Sequence, residues 1–133
     1  MRVIVVGAGE VGSSIAASLA DEHEVVVVDI DGDRVEALTY ELDVLAIEGD
    51  GAAIETLQEA GLGSAELLVA VTDDDETNIV SCGTAKTLDD VTTIARVRNT
   101  KYLDTWENAE GALGVDVMVG TNLLTARKIA SMI

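Results

Sequence analysis

The sequence predicts a doubly wound α/β fold, in which helices cover both faces of a parallel six-stranded sheet. Short β-branched apolar runs alternate with amphipathic stretches along the chain, and the first run passes directly into a glycine-rich turn. The composition agrees, because 48% of the 133 residues are hydrophobic, only 2% are aromatic and proline is absent. Valine-rich strands buried on both faces have such a composition. The length favours a single domain spanning residues 1–133.

Each predicted strand is followed by a predicted helix that crosses over the sheet. The strands are predicted at residues 2–6, 24–29, 44–47, 66–71, 91–97 and 115–119. The helices are predicted at residues 10–20, from about 31–33 onwards, and at 52–60, 76–88, 102–110 and 121–133. This alternation predicts the Rossmann-like strand order 3-2-1-4-5-6, with a topological switch beside the first strand.

The turn after the first strand reads Gly-Ala-Gly-Glu-Val-Gly, at residues 7–12. A strand, a G-x-G-x-x-G turn and a helix in succession are the fingerprint of dinucleotide binding. Gly7 would permit the tight turn, Gly9 would let a pyrophosphate approach the backbone, and Gly12 would let the helix pack closely. The phosphates would bind at the positive end of that helix. The hexapeptide alone also fits a strand–helix turn that merely needs small residues.

An acidic residue, Asp29, ends the second predicted strand, 22 positions after Gly7. Roughly 20 residues is the spacing at which a carboxylate binds the ribose 2′-OH in this type of site. The same negative charge would repel a 2′-phosphate. The sequence therefore favours a nucleotide with a free 2′-OH, a class that includes NAD⁺, NADH and ATP.

Polar residues also follow the other strands, at the edge of the sheet where ligands bind in such folds. Gly49 and Asp50 follow the third strand, Thr72 and Asp73 follow the fourth, and Arg96 lies near the end of the fifth. These residues extend the predicted site across the carboxyl ends of the strands.

Positive charge for a phosphate would come from Arg96 or Arg98, which strand alternation places on the same side of the fifth strand. Either arginine fits a surface ion pair equally well in so acidic a chain. The acidic run at residues 73–76 could bind a divalent cation beside phosphates, and an acidic helix N-terminus explains the run as well.

The net charge of −17 makes nucleic acid a poor partner for this surface. Dispersed acidity with only three lysines resembles proteins from extreme halophiles, so we expect stability to rise with salt. No apolar run approaches the roughly 18 residues that a membrane span needs, which predicts a soluble chain without membrane insertion. The low cysteine content favours a cytoplasmic location. A single cysteine, Cys82, excludes an intramolecular disulfide.

Catalytic residues are not evident in the sequence. The single histidine, His23, is predicted in a turn at the edge opposite the glycines, and Cys82 occupies an apolar helical position. Neither Tyr40 nor Tyr102 is followed four residues later by a lysine, so a Tyr/Lys proton-transfer pair is missing. The sequence predicts a nucleotide binder without an obvious reaction.

Several stretches together resemble one family, the N-terminal nucleotide-binding domain of TrkA-type potassium-uptake regulators, also called the KTN or RCK-N domain. The most specific features are Gly49-Asp50 and the Thr-x-x-x-Glu-x-Asn pattern at residues 72–78. The other matching stretches are residues 3–12, 27–31, 70–71, 94–97 and 114–117. The resemblance covers essentially the whole chain.

This resemblance implies a regulatory subunit that binds NAD(H), or alternatively ATP or ADP, and gates a membrane potassium-translocating subunit from the cytoplasmic side. It implies a homo-oligomer, as a dimer, a tetramer or an octameric ring. Gly7, Gly9 and Gly12 would face the phosphates, Asp29 the ribose and Asp50 the adenine. Thr72 and Arg96 would line the phosphate or second-nucleoside end. The full set of implied nucleotide-binding residues is Gly7, Ala8, Gly9, Glu10, Val11, Gly12, Asp29, Ile30, Gly49, Asp50, Thr72, Asp73 and Arg96.

Two features depart from the family pattern. Ala52 stands where the family often has a hydroxyl residue, and the C-terminal domain of full-length relatives has no counterpart here, which implies a fragment or a minimal subunit. The stretch 121–133 is apolar on more than one face, which predicts a helix used in dimerisation, or alternatively one docked on its own sheet. Two other functions remain open: the cofactor domain of an NAD-dependent dehydrogenase, and an assembly module with a vestigial glycine loop.

Overall fold

The computed structural model describes residues 1–109, 111–121 and 125–133. Within them the chain forms a six-stranded sheet in which every neighbouring pair of strands is parallel. The strands are β1 (Arg2–Val6), β2 (Glu24–Asp29), β3 (Leu45–Glu48), β4 (Leu67–Ala70), β5 (Thr92–Val97) and β6 (Val117–Gly120). Their order is β3-β2-β1-β4-β5-β6. The predicted Rossmann-like fold class and strand order are confirmed.

Helices cover both faces of this sheet. They are α1 (Glu10–Leu19), α2 (Gly32–Glu41), α3 (Ile54–Glu59), α4 (Asp75–Leu88), α5 (Thr100–Asn108) and α6 (Thr125–Ser131), with short 3₁₀ helices at Leu62–Ser64 and Ala112–Gly114. Side chains of α1, α2 and α6 share one core cluster, and side chains of α3, α4 and α5 share the other. No helix in the described ranges is long and apolar enough to cross a lipid bilayer.

The alternation of side chains along β1 divides the core into its two layers. Val3 and Val5 point into the layer beneath α1, whereas Ile4 and Val6 point into the layer beneath α4. All four side chains are at most 1% exposed. Because both faces of a parallel sheet are buried, a run of consecutive apolar residues is required here, as the sequence predicts.

Two of the differences from the predicted bounds have a local cause. The third helix begins at Ile54 and not at residue 52, because the Asp50 carboxylate accepts the Ala52 N–H (2.9 Å) and holds a turn there. The last strand begins at Val117 and not at residue 115, because the 3₁₀ turn before it contains left-handed residues, among them Leu113 with φ of 66°.

The predicted terminal helix corresponds to α6, and residues 122–124 of that prediction lie outside the described residues. Ile129 of α6 is fully buried in the same core cluster as Ala16 and Leu19 of α1. This side chain therefore packs within its own domain, which was the alternative interpretation of the stretch. Its use in dimerisation stays a prediction.

The register of the strands aligns their carboxyl ends at one edge. Val6 of β1 lies opposite Val28 of β2 on one side and Ala70 of β4 on the other. Successive strands are added on one side of β1 up to β3 and on its other side from β4 onwards. The loops after β1 and β4 therefore lead to opposite faces of the sheet and leave a crevice between them. The predicted polar residues lie at this edge, either at the carboxyl end of a strand, as Asp29 and Arg96 do, or in the loop that follows one.

Candidate functional site

A cleft of about 650 Å³ opens at the carboxyl edge of the sheet, across the switch point between β1 and β4. This volume is within the range of small-molecule sites, roughly 300–1,000 Å³. The residues lining it are Val6, Gly7, Gly9, Glu10, Val11, Val28, Asp29, Ile30, Arg34, Gly49, Asp50, Gly51, Val71, Thr72, Asp73, Asp74, Thr77, Arg96 and Arg98. Of the thirteen predicted site residues, Ala8 and Gly12 do not line it. The other eleven do.

Two glycines of the turn are required by the fold itself. Gly7 has φ of 115°, and a Cβ there would lie 3.1 Å from the backbone nitrogen of Thr72. A Cβ on Gly12 would lie 1.8 Å from the carbonyl oxygen of Gly7, so this position lets α1 pack against the turn. Gly12 thus serves packing behind the cleft wall, as the motif predicts, and does not face the cleft as the resemblance implied.

Gly9 differs from the other two glycines. Its φ of −74° and ψ of −163° are open to any residue. The nearest atom to a Cβ there would be the Arg34 Nη1, at an ordinary contact distance of 3.5 Å. The fold therefore does not require glycine at this position. The bare backbone at the start of α1 faces the cleft, beside the N–H groups of the first turn that have no partner within a helix.

Asp29 connects three loops at the edge of the sheet. Its Oδ2 accepts the N–H of Ala8 at 2.7 Å and its Oδ1 accepts the N–H of Asp31 at 2.8 Å. Its carbonyl oxygen accepts the N–H of Gly49 at 2.9 Å. Each carboxylate oxygen has a second lone pair, so Asp29 retains capacity to accept hydroxyl groups from the cleft. Ala8 thus contributes to the site through its backbone N–H, by positioning this carboxylate.

The loop after β4 is held by a fully buried asparagine, Asn78 of α4. Its Oδ1 accepts the N–H of Thr72 at 2.9 Å and the Thr72 hydroxyl at 2.7 Å. Its Nδ2 donates to the carbonyl oxygens of Thr72 (3.0 Å) and Arg96 (2.8 Å). Asn78 therefore fixes the β4–α4 loop against β5. The sequence pattern contained this residue, but the site prediction omitted it.

Arg96 of β5 and Arg98, which directly follows this strand, both line the cleft. Arg96 is buried, and its Nη2 donates to the carbonyl oxygen of Thr72 (3.0 Å) and lies 3.4 Å from the Asp73 Oδ1. The Arg98 Nη2 donates to the same carboxylate oxygen at 2.8 Å. Strand alternation correctly places the two guanidinium groups on one side.

A third arginine, Arg34 of α2, lies over the glycine turn and was missed by the sequence analysis. Its Nη1 is 3.8 Å from the Asp29 Oδ2, and its Nε is 3.7 Å from an Asp31 carboxylate oxygen. Together with Arg96 and Arg98, it places three of the chain's eight basic residues on the described cleft wall. The only sequence signal is its position in the first turn of the helix that follows Asp29. The same wall carries five acidic residues, Glu10, Asp29, Asp50, Asp73 and Asp74, so positive charge is concentrated only around the guanidinium groups.

The other residues considered as candidates lie outside the cleft. Within the described ranges, no three His, Cys, Asp or Glu side chains are grouped to hold a metal ion. Cys82 is buried, and burial raises the pKa of its thiol well above the usual range. His23 lies beside the N-terminal amine, with 3.5 Å between that nitrogen and its Nδ1, at the amino edge of the sheet.

Solved structures share this fold. The TrkA-N domain of inner membrane protein ybaL from Escherichia coli superposes with a TM-score of 0.80 at 24% identity, covering 99% of this chain and 96% of that one. The GsuK channel bound to NAD gives 0.76 at 18% identity, covering 89% of this chain and 21% of the channel. The Kef C-terminal domain of Shewanella denitrificans, in an AMP-bound form, gives 0.75 at 20% identity, covering 97% and 76%.

Sequence relatives lead to the same family. The chain is 42% identical to Trk system potassium uptake protein trkA homolog 1 of Methanosarcina mazei and 40% identical to a TrkA homolog of Archaeoglobus fulgidus. Both alignments cover all of this chain, which spans 34% and 30% of those proteins, about a third of their length. The family model of the TrkA-N domain matches residues 3–121. The chain therefore belongs to the TrkA-N domain family.

Proposed function

We propose that this chain is a nucleotide-binding regulatory domain of a potassium-uptake system, and that its ligand is NAD(H) or an adenine nucleotide such as ATP or ADP. The observation that carries the proposal is Gly9, which exposes bare backbone to the cleft at a position where the fold accepts a side chain. A glycine that the fold does not need is explained by a ligand that approaches the backbone closely.

The polar groups around Gly9 fit the parts of an adenine nucleotide. The Asp29 carboxylate is positioned to accept ribose hydroxyl groups, and the N-terminus of α1 attracts phosphate. Ile30 is 74% exposed at the cleft wall and, with the backbone of Gly49 and Asp50, offers an apolar and a polar surface to a base. Arg96 and Arg98 would bind further phosphate or the second nucleoside.

The solved neighbours support this ligand class. One is described as bound to NAD and another as bound to AMP, and both molecules contain adenosine 5′-phosphate. We expect this shared adenosine 5′-phosphate portion to bind between the loops that follow β1 and β2. Because Asp29 disfavours a 2′-phosphate, the proposal excludes NADP(H) as the preferred ligand.

The relatives, which are potassium uptake proteins of the Trk system, support a role in potassium uptake. By this proposal the domain works in the cytoplasm, as part of a homo-oligomer attached to a membrane potassium-translocating subunit, and ligand binding changes the state of that partner. The alternative, a dehydrogenase cofactor domain, uses the same fold for hydride transfer. Because the fold is the same in both, an assay for hydride transfer is needed to distinguish a regulatory domain from a dehydrogenase.

Titration calorimetry of the chain with ADP, ATP, NAD⁺ and NADH tests the proposed ligand. We expect saturable binding of at least one of them, at one site per chain. The absence of heat with all four would refute the proposal and favour an assembly module with a vestigial glycine turn. Robust turnover of NADH with a panel of carbonyl substrates would instead favour the dehydrogenase.

A further inference from the structure

Three consecutive aspartates follow β4, and two of them serve the local fold. The Asp75 carboxylate accepts the backbone N–H groups of Arg98 at 2.8 Å and Asn99 at 2.9 Å. The Asp74 carboxylate accepts the Thr77 hydroxyl within the first turn of α4. The Asp75 bonds join the start of α4 to the residues that follow β5, and the Asp74 bond holds the first turn of α4, without any contribution from Asp73.

Asp73 makes a different set of contacts. The interactions that the described residues give its side chain are both through Oδ1, at 2.8 Å from the Arg98 Nη2 and 3.4 Å from the Arg96 Nη2. Its side chain is 74% exposed on the cleft wall, whereas that of Arg96 is 9% exposed. One exposed carboxylate thus faces two guanidinium groups, one of which is buried in the wall.

The Asp73 carboxylate alone does not satisfy the two guanidinium groups. Two guanidinium groups carry two positive charges and up to ten N–H donors, of which a single carboxylate oxygen satisfies few. A phosphate group offers three oxygens and up to two negative charges, and it binds paired arginines more strongly than a lone exposed carboxylate does. The two arginines therefore form an anion subsite whose present occupant is a weak one.

We propose that Asp73 is an internal competitor for an anion subsite formed by Arg96 and Arg98, and that a phosphate group of the ligand displaces it. The inference rests on the proposed function and adds that the site selects its ligand by the charge of the group at the two arginines. Asn78 and Asp75 hold the loop independently of Asp73, so displacement needs only a side-chain rotation. The subsite then accepts a phosphate and rejects a neutral group, which cannot replace the carboxylate.

Inorganic pyrophosphate is the probe, and its binding is followed by NMR through the side-chain Nε–H resonances of Arg96 and Arg98. Asp73→Asn should bind pyrophosphate about two- to fivefold more tightly than the wild type, because the competing exposed ion pair is weak. Asp73→Ala should give the same change. Asp90→Asn is the matched control, since it makes the same change in net charge at an exposed site on the opposite edge. Its affinity for pyrophosphate should equal that of the wild type.

Equal or weaker pyrophosphate binding by both Asp73 variants would overturn the proposal, because Asp73 would then be a spectator or a positioning residue. The absence of any shift at the two arginine resonances in all proteins would overturn it as well. Parallel titrations with ADP separate this result from the proposed function. A chain that binds pyrophosphate at the arginines but binds no nucleotide would refute the proposed function alone.

Discussion

The two edges of the sheet use their charged residues in opposite ways. At the amino edge, charges pair with each other and with the backbone of neighbouring strands. At the carboxyl edge, charges position the loops and still present unused hydrogen-bonding capacity to a cleft. Because all strands are parallel, the loops that follow strands lie at one edge and the loops that precede strands lie at the other. Charged residues that stabilise the fold can therefore lie at a different edge from those that face the cleft.

The amino edge is illustrated by Asp116, which precedes β6. Its Oδ2 lies 2.6 Å from the Lys86 Nζ and accepts the N–H of Thr93 at 2.8 Å, and the Lys86 Nζ also donates to the Val91 carbonyl at 2.9 Å. Partial burial acts to raise the pKa of Asp116, but the hydrogen bonds from Lys86 and Thr93 outweigh it and hold the pKa below its ordinary value. This cluster joins α4, β5 and β6.

The carboxyl edge is illustrated by Asp29, whose two oxygens position the glycine turn and α2 while the carboxylate lines the cleft. One residue therefore serves both stability and the proposed binding. Substitutions at the amino edge should therefore change stability alone, whereas those at the carboxyl edge should change ligand binding, with or without a change in stability.

Gly12→Ala should have the largest effect, although Gly12 does not touch the cleft. A methyl group 1.8 Å from the Gly7 carbonyl oxygen forces α1 away from the turn, so we expect a loss of at least about 3 kcal/mol in the free energy of unfolding. Urea unfolding followed by circular dichroism measures this. Gly63→Ala is the control, since a Cβ at Gly63 meets nothing within 4 Å. Equal stability of the two variants would show that α1 does not pack as described.

Asp29→Ala should lower both the stability of the fold and the affinity for ADP. Removal of the carboxylate leaves the buried N–H of Ala8 without its partner, which costs about 1–3 kcal/mol of stability. Loss of charged hydrogen bonds to ribose should weaken ADP binding roughly 10- to 150-fold.

Calorimetry with ADP and 2′-deoxy-ADP isolates the ribose contact from the change in stability. The wild type should prefer ADP, and Asp29→Ala should bind both ligands equally. A variant that keeps the preference would show that the ribose lies elsewhere.

Gly9→Ala should separate binding from stability most clearly. The backbone conformation suits alanine and no clash arises, so the free energy of unfolding should stay within about 0.5 kcal/mol of the wild type. The methyl group occupies the space that a phosphate needs, so ADP affinity should fall tenfold or more. Calorimetry and urea unfolding on the same preparation check both parts, again with Gly63→Ala as control. Unchanged affinity would contradict the assignment of Gly9 to the ligand.

Asp116→Asn should have the smallest effect, and one confined to stability. Because the folded-state pKa lies below the ordinary value, the ionised carboxylate stabilises the fold above that ordinary value, near 3.8. The contribution disappears as pH falls through the lower folded-state pKa. The pair with Lys86 is about one-third exposed, so solvent limits the difference to about 1 kcal/mol at pH 7.

Unfolding measured from pH 7 down to pH 3 should show the difference between Asp116→Asn and wild type shrinking towards the acid end, with ADP affinity the same in both. A difference that does not depend on pH, or a change in ADP affinity, would break the division between the two edges.

The amino-acid sequence by itself determined the order of strands and helices, since β-branched runs and helical periodicity are local properties. It also placed Gly7, Asp29, Thr72 and Arg96 at one edge, because the carboxyl ends of parallel strands and the residues that follow them lie there. The interpretation of the dispersed acidity as halophilic stays a prediction, which unfolding against salt concentration checks.

Only the tertiary structure decided what each residue at that edge does. It separated Gly9, which faces the cleft, from Gly12, which packs behind it, although both belong to one hexapeptide. It brought Arg34 over the glycine turn and buried Ile129 against α1. Such roles depend on distances between segments remote in sequence, and these distances are set when the helices pack on the sheet, which no local pattern encodes.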